Sequence, residues 1–134
     1  MTPPTVTRLE PNWRWTKEFG VLPGVKLGHL IHTCGIIPLD AHGELVGRDD
    51  VRAQIRKVFE NISEVLSAGG CTLANIVKLT IFLKDLADFD ALKEVRREFF
   101  PDGVPGVVTT VGADLLGDGI RVEIEASAVA NSDG

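Results

Sequence analysis

Few residues of this 134-residue chain combine a reactive type with a telling position. Glu123 and Glu125 stand two apart in the run from Ile120 to Ala130. On a strand they share a face. A carboxylate there can take a proton from water and return it to a leaving group. The plainer reading is a pair of solvent-facing acids, or acids paired with Arg121. Cys34 precedes Gly35 at the end of an apolar run, where a residue without Cβ lets backbone approach a ligand closely. The plainer reading is a buried free thiol. Thr109 and Thr110 follow the loop Asp102-Gly103-Val104-Pro105-Gly106. They offer hydroxyls or N–H groups to an anion, or are strand residues and nothing more.

Other chemistries find little support. There is no glycine-rich phosphate loop, no HExxH and no CxxC. His29 and His32, three apart on a strand, point to opposite faces, and His42 sits in a turn, so no metal set is expected. Cys34 and Cys71 cannot build a disulfide framework and read as free thiols of a reducing compartment. The formal charge is −5, and no basic stripe exists that would neutralise phosphates; nucleic acid is not an expected partner. No stretch approaches the roughly 20 apolar residues of a membrane span, and the first seven residues lack a signal-peptide core. A cytoplasmic protein is expected.

The elements that must position these residues follow from periodicity and punctuation. Pro3, Pro4 and Pro11 make residues 1–16 an arm, whose Trp13 and Trp15 are expected to cover apolar surface. A single domain spans 17–130 and a polar tail 131–134. Val21 to Pro38 is strand-like, with a hairpin turn near Lys26–Gly28. Asp40-Ala41-His42-Gly43 is a turn before a short apolar stretch at Glu44-Leu45-Val46. Asp49 or Asp50 caps a helix running to about Ala68, with Val51, Ile55, Val58, Phe59, Ile62, Val65 and Leu66 as its stripe. Ile76 to Leu83 is a strand with Val77, Leu79, Ile81 and Leu83 on one side. Asp88 caps a second helix carrying Phe89, Leu92, Val95 and Phe99, which ends at Pro101. Val107–Val111 and Ile120–Ala130 are the last strands.

The order is β-β-(β)-α-β-α-β-β, an α+β domain with both helices on one face of a mixed sheet. Strands apolar on both sides imply that the other face meets a second subunit. A symmetric homo-oligomer with ligand clefts between subunits is expected.

In this order the pieces resemble the RidA / YjgF / UK114 family over roughly Val21 to Ala130. They are Val25-Lys26-Leu27-Gly28, Thr33-Cys34-Gly35-Ile36-Ile37-Pro38-Leu39-Asp40, the helix end Phe59 to Gly70, the strand Ile76 to Asp85, Glu98-Phe99-Phe100-Pro101, Thr109-Thr110-Val111 and Val122-Glu123-Ile124-Glu125-Ala126. The resemblance implies a chorismate-mutase-like (YjgF-like) fold and a homotrimer whose sheets form a central barrel, with three clefts between subunits. It implies hydrolysis of enamines and imines to a 2-keto acid and ammonia, without a cofactor.

By the same resemblance the water-positioning glutamate is Glu123 and the cleft serine or cysteine is Cys34. An aromatic near the domain start falls near Val21, and an asparagine of the second helix falls on Lys93. The arginine that holds the substrate carboxylate in deaminating members falls on Val108, or on Val107 when counted forward from Pro105. Replacement cations are sought in Arg121, on the side of Glu123, and in Lys78 and Lys93.

Two functions follow. The first is a hydrolytic deaminase of a small imine, enamine or related unsaturated intermediate. Glu123 works on water, backbone near Cys34 and Gly35 with Thr109 or Thr110 holds the polar end, and Val21, Val107 and Val108 set the shape. The second is a catalytically silent trimeric module that binds a small molecule or another protein. A ribonuclease role, also linked with the family, is disfavoured by the acidic balance.

Overall fold

The computed structural model describes residues 5–131; the first four residues of the arm and all but Asn131 of the tail lie outside the described residues. Strands β1 (Thr7–Leu9), β2 (Gly24–Leu27), β3 (Leu30–Thr33), β4 (Ile76–Leu83), β5 (Val107–Gly112) and β6 (Val122–Val129) form one sheet. Helices α1 (Arg14–Phe19), α2 (Val51–Ala68) and α3 (Phe89–Phe99) complete the chain. The sheet order is β1-β2-β3-β6-β4-β5. Only β4 and β5 run parallel, joined by the α3 crossover, so the sheet is mixed. Long helices α2 and α3 cover one face and touch each other. No helix is long and apolar enough to cross a membrane among the described residues.

The stripe of α2 is buried as its spacing predicts. Ile55, Val58, Phe59, Ile62, Val65 and Leu66 are fully buried, each contributing about 2 kcal/mol by leaving water. Asp50 caps the helix, its carboxylate accepting from the Ala53 N–H at 3.1 Å. Within the same stripe α2 buries two amides, Gln54 and Asn61, seven residues and so two turns apart. Asn61 Nδ2 donates to the Ile37 and Leu39 carbonyls at 3.1 and 2.9 Å. Gln54 Nε2 donates to the Gly47 and Gly119 carbonyls at 3.1 and 2.9 Å, and its Oε1 accepts from the Arg121 N–H at 2.8 Å. One amide thus fixes the segment after Gly35, the other the loop that enters β6.

Four details differ from the sequence reading. The arm contains β1, paired with β2, and the first half of α1; Pro11 falls between the two elements and interrupts neither. Trp13 and Trp15 are buried and stacked, with centroids 5.4 Å apart. The stretch at Glu44–Val46 makes one isolated bridge, Leu39 to Leu45, and no strand. In β4 a register shift between Ile76 and Lys78 buries Ile76 and exposes Val77; the bulge inverts the alternation at that end. Asp88 precedes α3 but does not cap it by side chain, because its carboxylate is gripped by Arg121, with Nη2 at 2.7 and 2.8 Å and Nε at 3.1 Å.

Candidate functional site

Gly35 and Glu123 meet because the chain leaving β3 is stitched to β6. Ile36 N–H donates to the Ile124 carbonyl at 2.8 Å, and Ile124 N–H returns a bond to Ile36 at 3.0 Å. Gly35 and Glu123 are diagonal neighbours across this antiparallel bridge, and the Glu123 side chain lies against Gly35. A Cβ on Gly35 would collide with the Glu123 carboxylate, lying 3.0 Å from its Cδ and 3.3 Å from its Cγ. The glycine is what lets this carboxylate lie against backbone.

Around the pair opens a cleft of about 700 Å³. Val21, Cys34, Gly35 and Glu123 line it, together with Trp15 and Phe19 of α1 and Leu116. At the rim Arg48 pairs with Asp118 at 3.3 Å, both largely exposed. Burial and the charge of Glu125 hold the Glu123 carboxyl above the ordinary 4.5. Burial first, then the Glu123 charge, pushes the Cys34 thiol up to about 11. Cys34 Sγ donates to the Gly35 carbonyl at 3.5 Å. At neutral pH the Cys34 thiol therefore stays protonated, a poor nucleophile, beside an acid whose raised pKa suits it to proton transfer. Among the described residues no three His, Cys, Asp or Glu side chains group as metal ligands.

The remaining sequence candidates lie elsewhere in the chain. Strand β4 separates β5 from β6, so the two are about 10 Å apart. Register places Val107 and Thr109 opposite Lys78 and Thr80, on the open sheet face that also carries Glu123. Val108 and Thr110 sit opposite Leu79 and Ile81 on the helix-covered face. Val108 and Lys93 line a separate groove. Lys93 Nζ lies 3.4 Å from Asp90 and 5.0 Å above the Phe89 ring. Lys78 lies on the open face, in a hollow with Glu125 and Ser127. Arg121, sought as a free cation, is committed to Asp88, whose side chain is only 10% exposed.

Sequence reasoning missed Trp15 and Phe19 as cleft residues, because the arm carries no visible helix period. It also missed Gln54 and Asn61, whose signal was a pair of polar residues inside an apolar stripe.

The family described as Endoribonuclease L-PSP matches residues 20–130. A RutC family protein of Pyrococcus abyssi is 38% identical over 105 residues, covering 78% of this chain and 81% of its own. A 2-iminobutanoate/2-iminopropanoate deaminase of Salmonella typhimurium is 36% identical over 108 residues, covering 79% and 84%. The crystal structure of Escherichia coli TdcF with bound serine superposes with a TM-score of 0.75 at 34% identity, over 82% of this chain and 87% of that one. The fold is thus the YjgF-like α+β fold that the motifs implied, and the chain belongs to the RidA/YjgF/UK114 family.

Proposed function

We propose that the chain is a hydrolytic deaminase of a small imine or enamine and that Glu123 is its general base. The observation that carries this reading is the half-buried Glu123 carboxylate, held against Gly35 in an open, largely apolar cleft. The name of the Salmonella relative supports the reaction class. Glu123 takes a proton from water as the oxygen bonds to the C=N carbon, whose π pair moves to nitrogen. The proton passes on to that nitrogen. The resulting carbinolamine passes its O–H proton through Glu123 to the amine nitrogen, and as the C–N bond breaks ammonia leaves and the carbonyl forms. Water supplies the oxygen, and no cofactor enters the balance. The Cys34 and Gly35 backbone holds the polar end, and Val21 with the α1 aromatics sets the shape.

The functional unit in this reading is a cytoplasmic homotrimer with its clefts between subunits. Val77, Val107, Val111 and Val129 are exposed, with Val107 the most open at 67%. Together they give the uncovered sheet an apolar character that a second copy would bury. A neighbour would also bring β5, with Thr109 and Thr110, toward the Glu123 cleft.

Ammonia and keto-acid release from freshly generated imines tests the reaction, with Glu123→Gln as control. Loss of turnover in that variant is expected; unchanged turnover overturns the mechanism. Light scattering tests the assembly against three times 14.5 kDa. The second reading, a silent binding module, draws on the apolar Val108 where deaminating relatives are expected to carry arginine. A metabolite retained in native mass spectrometry, without turnover on any imine, would select it.

A further inference from the structure

Phe19, Val21 and Leu116 line the Glu123 cleft and are all exposed, Phe19 at 62% and Leu116 at 91%. Single exposed apolar side chains need no explanation, but a group of them around one carboxylate marks a surface made to be covered. Helix α1 holds this wall in place. Trp13 Nε1 donates to Glu64 of α2. Trp15 stacks on Trp13, and Phe19 meets Trp15 edge-on with centroids 6.0 Å apart. Both indoles are buried, so Phe19 is the open end of a ladder of rings rooted in the core. A wall so anchored loses little freedom when a ligand settles on it. At about 700 Å³ the cleft has room for far more than a two- or three-carbon imine. Its charges are also unbalanced. Glu44, Asp118 and Glu123 line it, and Arg48 is the one base among the described lining residues. Arg48 is paired with Asp118 at 3.3 Å. Strand β5, which the proposed assembly brings toward the cleft, has no charged residue. An anionic group beside Glu123 would meet like charge without a free cation from these elements, whereas a neutral imine or its protonated form would not.

We propose that the substrate of this cleft is an imine that carries an arylalkyl or similarly bulky apolar group and no carboxylate, and that Phe19 selects it. The apolar body lies on Phe19 and Trp15, Val21 and Leu116 flank it, and the C=N end reaches Glu123. Hydrolysis then releases ammonia and a ketone or aldehyde in place of a 2-keto acid. That the ligand is an imine rests on the deaminase reading; the preference for an uncharged, bulky apolar ligand does not.

Benzylacetone, the ketone that hydrolysis of such an imine would release, is titrated into the full-length protein at about pH 8, where carboxylates are ionised. Calorimetry and the tryptophan indole N–H signals in NMR read the binding. Its matched partner is 2-oxo-4-phenylbutanoate, the same body with a carboxylate in place of the methyl group. Saturable benzylacetone binding is expected, with the keto acid weaker by roughly tenfold or more. Phe19→Ala, at an exposed position, is expected to weaken benzylacetone roughly five- to tenfold. Val6→Ala, exposed in the arm and outside the cleft, is expected to leave it unchanged. Glu123→Gln is expected to narrow the gap between the two ligands. No benzylacetone binding, a keto acid bound as tightly as the ketone, or binding indifferent to Phe19 would each overturn the inference. So would equal weakening by Val6→Ala, or a Phe19→Ala variant whose assembly mass changes in light scattering, which would make Phe19 a subunit contact. Benzylacetone binding without turnover of its imine sinks the deaminase reading alone. Imine turnover with the keto acid bound as tightly as the ketone sinks this inference alone.

Discussion

Replacing Gly35 with alanine adds one methyl group at the point where Glu123 touches backbone. Gly35 does not have a positive φ, so the backbone tolerates alanine without strain. The new Cβ would lie 3.0 Å from Glu123 Cδ and 3.3 Å from Cγ, with the carboxylate oxygen nearer still. Ordinary contact between such atoms begins near 3.5 Å, so the carboxylate must retreat by about 1 Å. It is the far end of a flexible side chain and can swing into the cleft at little cost in stability. A misplacement of about 1 Å costs roughly 100-fold in rate where a reacting group must be aligned. The expected outcome is a kcat for imine hydrolysis lowered by about two orders of magnitude, with a Tm near the wild-type value.

Gly106→Ala is the matched control. Its Cβ would lie 2.6 Å from Val77 Cα and closer to the Val77 carbonyl group. Backbone cannot swing aside, so overpacking of about 1–3 kcal/mol is expected, read as a lowered Tm. Parallel kinetic assays and melts of both variants check the pair. Full activity in Gly35→Ala would refute the claim that this glycine sets the position of a working carboxylate.

Four further outcomes follow from the same geometry. Burial, then the Glu125 charge, raises the Glu123 carboxyl above 4.5, so activity is expected to fall with decreasing pH earlier than for an ordinary carboxylate; Glu125→Gln should move that acid limb of kcat/KM to lower pH. Because the folded value exceeds the unfolded one, the native state holds this proton more tightly, and stability is lost as pH rises from the ordinary value through the raised one. Glu123→Gln should therefore melt above the wild type at neutral pH, and the gap should close below about pH 4; a gap independent of pH would contradict the raised value. With its thiol near 11, Cys34 is thiolate at only about one part in ten thousand at pH 7. Iodoacetamide should label it far more slowly than free cysteine, and Cys34→Ser should keep its turnover; fast labelling would refute the burial argument. Gln54→Leu strips partners from the Gly47 and Gly119 carbonyls and the Arg121 N–H, at about 3 kcal/mol and roughly 10 °C of Tm; a shift under about 2 °C would show that water takes over those bonds.

What the sequence made legible was what periodicity records. The α2 stripe, the β6 alternation and the stop at Pro101 are local patterns, and the fold follows them. Where neighbours were non-local, the pattern was silent or misled. Asp88 has the sequence signature of a cap, yet its carboxylate is worth more to Arg121, 33 residues away, as a two-pronged ion pair. Val77 fits the strand alternation, yet a bulge turns it outward. Val108 and Glu123 stand together in the motif order, yet within one chain they belong to opposite faces of the sheet.

The site itself depends on a device that hydrophobic patterning hides. Gln54 and Asn61 fall inside the buried stripe of α2, so they face the same way as Ile55, Val58 and Ile62. A buried amide without partners costs about 1–3 kcal/mol, so each must answer to something. Asn61 answers to the strand exit after Gly35, and Gln54 to the loop before Glu123. One rigid helix therefore sets the distance between the two halves of the cleft, and α2 acts on Glu123 without touching it. Polar residues at core positions are in this chain the sign of loops being held in register. That reading separates two kinds of damage: a change at Gly35 moves the carboxylate on a fixed frame, whereas a change at Gln54 moves the frame.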